Sequence, residues 1–108
     1  MTPELCGYVA GIIDGEGWIG TVKNRNTRLP CLQVRMTDQD VVQRVADAIG
    51  CSVQRTTRGA AHHQPLYQID VRGAKALDLL DNLYPLLGAR RRARIDPLKK
   101  ELTPVVRA

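Results

Sequence analysis

Hydrophobic positions along the chain switch between helical and strand spacing in a regular order. A largely apolar stretch runs from Pro3 to about Asp14. It opens on Thr2-Pro3-Glu4, with a hydroxyl to cap the first turn, a proline suited to the first helical position and an acid at the positive end of the dipole. Alternating strands follow, from about Trp18 to Asn24 and from about Leu29 to Met36, joined by the turn residues Asn24-Arg25-Asn26-Thr27. In the second strand Leu32, Val34 and Met36 share one side, and Gln33 and Arg35 the other. Thr37-Asp38-Gln39-Asp40 reads as a capping box. It opens a helix with Val41, Val42, Val45 and Ile49 at helical spacing, stopped by Gly50. A third strand is expected from Cys51 to Arg58 and a fourth from Pro65 to Arg72, the latter with Tyr67, Ile69 and Val71 against Gln68, Asp70 and Arg72. After Gly73 comes a helix striped by Ala76, Leu77, Leu80, Leu83 and Leu87, which Pro85 or Gly88 would break. A short last helix from Ala89 to about Leu102 precedes a frayed tail, 103–108.

Helix, strand pair, helix, strand pair, helix predicts an α+β domain: one antiparallel sheet with helices on one face. The 108 residues allow a single domain, with its core over about 4–102. No apolar run approaches a membrane span, and no secretion signal is visible at the N-terminus. Cys6, Cys31 and Cys51 are odd in number and widely spaced, which predicts three reduced thiols and a cytoplasmic setting. His62 and His63 have no third ligand nearby and are assigned to a loop. The net charge of +5 favours an acidic partner, with nucleic acid the default.

Two features ask for chemistry. Gly7, Gly11 and Gly15 fall on every fourth residue of the first helix, beside Ala10 and Asp14. Interior glycines cost a helix about 1 kcal/mol each relative to alanine, so the ridge calls for a close packing partner. That partner is either the same helix of a second copy or the chain's own sheet. The helix then ends in Asp14-Gly15-Glu16-Gly17, two carboxylates where the dipole disfavours them. A divalent cation would offset their charge; a solvated acidic turn is the alternative.

Tyr8-Val9-Ala10-Gly11-Ile12-Ile13-Asp14-Gly15-Glu16-Gly17 resembles the motif that names the LAGLIDADG homing endonucleases. The element order agrees with that family, as do Met36-Thr37-Asp38 and Leu83-Tyr84-Pro85 with the arginines that follow. The resemblance implies an α-β-β-α-β-β-α fold and, with one motif per chain, a homodimer joined through Gly7, Ala10, Gly11 and Asp14. It implies Glu16 as metal ligand and catalytic residue, with the Gly15 carbonyl helping to hold Mg²⁺. Mn²⁺ would substitute, and Ca²⁺ would bind without catalysis. It makes Arg90 a catalytic residue near the scissile phosphate, with Arg91 its competitor. Met36 stands where the family often has a polar, water-ordering residue.

The implied partner is double-stranded DNA, read by the polar sheet face. Alternation assigns Gln33, Arg35, Gln54, Thr56, Arg58, Gln68, Asp70 and Arg72 to that face. The family's strand parity, with Ile19 inward, adds Trp18 and Asn24, joined by the loop residues Arg25, Asn26 and Arg28. In the major groove arginine suits guanine, glutamine adenine and aspartate the cytosine amino group. An ordinary solvated sheet face is the competing reading. The cluster Arg90 to Arg94 goes all round a helix, which favours phosphate contacts over a single salt-bridge stripe. The expected activity is metal-dependent cleavage of both strands in a long, near-palindromic site, with no membrane and no small-molecule cofactor. The gene would be intron-borne or free-standing, and an organellar or phage origin is compatible. A catalytically inactive DNA- or RNA-binding relative, a regulator or splicing helper, is the alternative.

Overall fold

The computed structural model describes residues 1–56 and 64–106, with side chains described through Lys99. Thr2 caps the first helix, α1 (Pro3–Glu16), its Oγ1 accepting from the Leu5 N–H at 3.1 Å. Val9, Ala10 and Ile13 form the buried face of α1. Gly17 ends it and begins the first strand with no connecting loop. A Cβ at Gly17 would stand 2.7 Å from the Ile13 carbonyl oxygen, so only glycine permits this passage from helix to sheet.

Strands β1 (Gly17–Asn24) and β2 (Thr27–Met36) form a hairpin through Arg25 and Asn26, with Arg25 at φ +58°. Helix α2 (Gln39–Ile49) follows, then β3 (Gln54–Thr56), β4 (Leu66–Arg72), α3 (Ala74–Leu83), a 3-10 turn (Tyr84–Leu86) and α4 (Ala89–Val106). The four strands lie in the order β1-β2-β4-β3, every neighbouring pair antiparallel. This is the α+β sheet expected from the sequence.

Helices α1, α2 and α3 pack on one face of the sheet, and α4 runs beside the edge strand β1. Ile19, Leu32, Val34, Ile69 and Val71 point into the core, where they meet Val42, Val45, Leu80, Leu83, Ile95 and Leu98. Among the described residues no polar or charged residue is buried. The three cysteines are free thiols, and among the described residues no helix is long and apolar enough to cross a membrane.

Several local expectations shift. The first helix runs two residues beyond Asp14, so Glu16 is its last residue. Thr37 does not cap α2: Asp38 holds the N-cap position without a side-chain bond, and Asp40 Oδ1 accepts from the adjacent Val41 N–H. Gly50 does stop α2, in the left-handed region at φ +86°. The third strand begins only at Gln54, because the Cys51 N–H is still bonded to the Ala46 carbonyl of α2. The last helix is not short; its 18 residues make it the longest, reaching Val106 rather than Leu102. Arg58, His62 and His63 lie outside the described residues.

Replacing Gly17 by alanine should destabilise the chain by about 1–3 kcal/mol through the forced clash with Ile13. Chemical denaturation against the parent checks this.

Candidate nucleic-acid interface and active centre

Glu16 stands exposed at the C-terminal end of α1, where a helix leaves its last carbonyls without internal donors. Arg91, from the first turn of α4, reaches this end: Nη2 donates to the Asp14 carbonyl at 2.9 Å, and Nε donates at 3.0 Å to the Ile13 carbonyl, which also accepts from the Gly17 N–H. In return the Asp14 carboxylate accepts from the Gly88 N–H, at 2.9 Å to Oδ1 and 3.2 Å to Oδ2. Gly88 directly precedes α4, so each helix end is capped by a charged side chain from the other. Neither the Gly15 carbonyl nor the Glu16 carboxylate receives a side-chain donor among the described residues.

This exchange reassigns part of the basic cluster. Arg91, expected on DNA, is held by α1. Arg92 donates to the Leu87 carbonyl, and Arg94 to the Ile19 carbonyl on the open edge of β1. Arg90 alone of the four is exposed without a bonded partner among the described residues. It lines a hollow of about 250 Å³ with Asp14, Gly88 and Arg91, not the hollow that holds Glu16.

Ala10, expected in a subunit interface, is 2% exposed and belongs to the chain's own core. Asp14 is exposed but already engaged by Gly88. Gly7, Gly11 and Gly15 are exposed, and a Cβ on any of them would meet nothing within 4 Å. The ridge therefore does not pack on the chain's own sheet.

The polar sheet face begins beside Glu16, which shares a hollow of about 290 Å³ with Trp18, Gln33 and Arg35. The register carries that face across the sheet: Trp18 opposes Gln33, Gln33 opposes Asp70, Arg35 opposes Gln68 and Gln68 opposes Gln54. Thr56 and Arg72 continue it by parity, Asn24 closes it on β1, and Arg25 and Asn26 stand exposed at the hairpin tip. Arg28 is the exception. It opposes Lys23 on the helix-side parity, and its Nε donates to Thr21 Oγ1 at 2.8 Å. Met36 lies on the core side, partly buried, so it leaves the surroundings of Glu16 to Gln33 and Arg35. Sequence reasoning had assigned those two only to base reading; their nearness to Glu16 follows from Gly17 opposing Val34 in the register.

The face is internally bonded. Arg35 Nε donates to Gln68 Oε1 at 2.8 Å. Asp70 Oδ1 accepts from Arg72 Nε at 2.8 Å and from the Cys31 thiol at 3.6 Å. Asp70 Oδ2 accepts from Gln33 Nε2 at 2.8 Å and Arg72 Nη2 at 3.2 Å. The Arg72 hydrogen bond, ahead of those from Gln33 and Cys31, holds the Asp70 carboxyl below the usual carboxylate range. Burial, reinforced by the Asp70 charge, pushes the Cys31 thiol up to about 11, so it stays protonated and able to donate.

Among the described residues no three His, Cys, Asp or Glu side chains gather as a metal site. One chain offers a cation the Glu16 carboxylate and the Gly15 carbonyl, an all-oxygen pair of the kind hard divalent cations take.

No family model and no curated protein matches the sequence. The fold does match solved structures. The chain is similar to the LAGLIDADG meganuclease I-SmaMI bound to uncleaveable DNA, at 18% identity and a TM-score of 0.62, over 92% of this chain and 36% of that one. It is similar to the archaeal intron-encoded homing endonuclease I-Vdi141I complexed with DNA, at 17% identity and 0.61, over 81% and 60%. It is also similar to the group I intron-encoded homing endonuclease I-CeuI complexed with DNA, at 15% identity and 0.61, over 92% and 54%. The chain spans between about a third and 60% of the length of these proteins. It has the LAGLIDADG homing-endonuclease fold, as the helix motif suggested.

The depressed Asp70 carboxyl has a signed consequence. A group whose pKa falls on folding stabilises the chain above its unfolded value and loses that contribution as pH falls through the folded one. The stability gap between the parent and Asp70→Asn should be full at neutral pH and shrink below about pH 4. Denaturation midpoints across pH 2–7 measure it.

Proposed function

We propose that two copies of this chain form a homodimeric, Mg²⁺-dependent endonuclease that cuts double-stranded DNA at a specific, near-palindromic site. The observation that carries the reading is the open glycine ridge of α1, which ends at Glu16 beside a polar sheet face. Gly7 and Gly11, solvent-open in the helix interior, are a stability loss of roughly 1 kcal/mol each unless something approaches that face closely. A second α1 across a two-fold axis would do so, and would bring two Glu16 carboxylates near the axis. That the solved proteins of this fold named above are described as bound to DNA supports the choice of substrate.

Each chain's residues have separate tasks. Glu16 and the Gly15 carbonyl would hold the cation, which when bound supplies Lewis-acid polarisation of a phosphate and an activated water. Arg35, in the same hollow as Glu16, would hydrogen-bond water or a phosphate oxygen there. Arg90, unpartnered at the start of α4, would meet the DNA backbone. The sheet face from Trp18 to Arg72 would lie in the major groove, joined by Asn24, Arg25 and Asn26 at the hairpin end. Asp14 and Arg91, bonded across the two helix ends, would hold the helices in register rather than meet the substrate.

Incubation with a randomised duplex library should give sequence-specific cuts that require Mg²⁺, fail in Ca²⁺ and disappear in Glu16→Gln. Tight specific binding with no cuts under any metal would make the chain a binding protein instead. Light scattering should give twice the 12.0 kDa chain mass at micromolar concentration. Gly11→Leu should give the single-chain mass with the fold retained, since its side chain meets open space within one chain.

A further inference from the structure

Asp70 lies in the middle of the polar sheet face, a place that suggests a base-reading residue. Its bonding argues otherwise. An ionised carboxylate accepts at about four lone-pair sites. Four donors already occupy them: Arg72 Nε and the Cys31 thiol on Oδ1, Gln33 Nε2 and Arg72 Nη2 on Oδ2. The Asp70 side chain is 14% exposed against 51% for Arg72, so the acid lies below the guanidinium it holds. The Cys31 side of this cluster is fully buried.

The same bonds set what the neighbours can offer. Gln33 directs an N–H to Asp70, which fixes its amide orientation and leaves Oε1 as an acceptor without a protein partner among the described residues. Arg72 keeps Nη1 and one Nη2 hydrogen for an outside acceptor, with its plane held by two bonds to one carboxylate. Across the strand pair Gln68 is fixed in the opposite sense: its Oε1 takes Arg35 Nε and its amide N–H groups are left over. The sheet thus carries an acceptor at Gln33 and donors at Arg72 and Gln68.

We propose that Asp70 is a positioning residue for sequence recognition: it reads no base itself, and it fixes the hydrogen-bonding sense of Gln33 and the plane of Arg72 that read bases in the major groove. This rests on the DNA-reading role proposed for the sheet. A guanidinium held in plane favours the paired acceptors of guanine, and a glutamine held with its oxygen free favours an exocyclic amino group over a base acceptor. An unheld pair would rotate among several partners and discriminate less.

The test selects binding sites from a randomised duplex library in Ca²⁺, which removes cutting from the readout. It compares the parent with Gln33→Ala, Arg72→Ala, Asp70→Ala and the isosteric Asp70→Asn. The parent should enrich a defined site. Gln33→Ala and Arg72→Ala should each flatten the preference at their own base pairs by about tenfold. Both Asp70 variants should flatten those same pairs and no other, while affinity for unselected DNA stays within about twofold. A base pair whose preference depends on Asp70 but on neither neighbour would overturn the inference and make Asp70 a reader. Unchanged preferences in both Asp70 variants would also overturn it. A parent that enriches no sequence would bring down the DNA-reading role, and this inference with it. Asp70→Asn keeps the shape of the side chain, so it serves if Asp70→Ala does not fold.

Discussion

The arrangement depends on one exchange of charge between two helix ends. The C-terminus of α1 carries partial negative charge and two acidic side chains, and the N-terminus of α4 carries partial positive charge and a run of arginines. Each helix by itself is wrongly charged. Asp14 reaching the Gly88 N–H and Arg91 reaching the Ile13 and Asp14 carbonyls correct both at once. With those carbonyls taken, the Gly15 carbonyl and the Glu16 carboxylate remain at the tip of α1 without a side-chain donor among the described residues. The same contact sets α4 against the edge of β1, where Arg94 takes up the Ile19 carbonyl. Core packing, edge protection and the bare acidic tip are thus linked through one junction.

Much of the frame was legible from local patterns. The pleat of β2 and β4 could be read from Leu32/Val34 and Ile69/Val71, because a core on one face of the sheet sets their apolar positions two apart. Gly50 was legible because a left-handed stop favours glycine. What escaped was long-range. Nothing near Arg91 in sequence announces that its partners are Ile13 and Asp14, nearly eighty residues away. Ala10 read as part of the glycine ridge from spacing alone, yet it lies on the side of α1 turned to the core. Arg28 was misplaced because it was read as a loop residue, whereas β2 already begins at Thr27 and turns Arg28 to the helix side, where it bonds to Thr21. Thr37 misled because the capping pattern also occurs one residue off the helix start.

The basic cluster shows how composition can overstate function. Four arginines in five residues suggested a phosphate-binding surface. Three of them donate to main-chain carbonyls at a helix end, a turn and a sheet edge. Arginine suits that task, since it stays charged and presents several donors in a fixed plane. These arginines keep their charge, and with it their share of the +5 balance, but have fewer N–H donors left for a partner. Among the described arginines, Arg90 and the hairpin-tip Arg25 are exposed with their donors free.

Gly20 has a consequence of a different kind. Its missing side chain lets the Trp18 ring lie against the strand; a Cβ there would come within 2.7 Å of the indole. Trp18 is the single tryptophan of the chain and is 42% exposed, next to Glu16. The molecule therefore carries a built-in fluorophore at the border between its acidic tip and its polar sheet. Its emission reports on whatever excludes water from that border, with no label attached and no second indole in the same chain to confuse the signal.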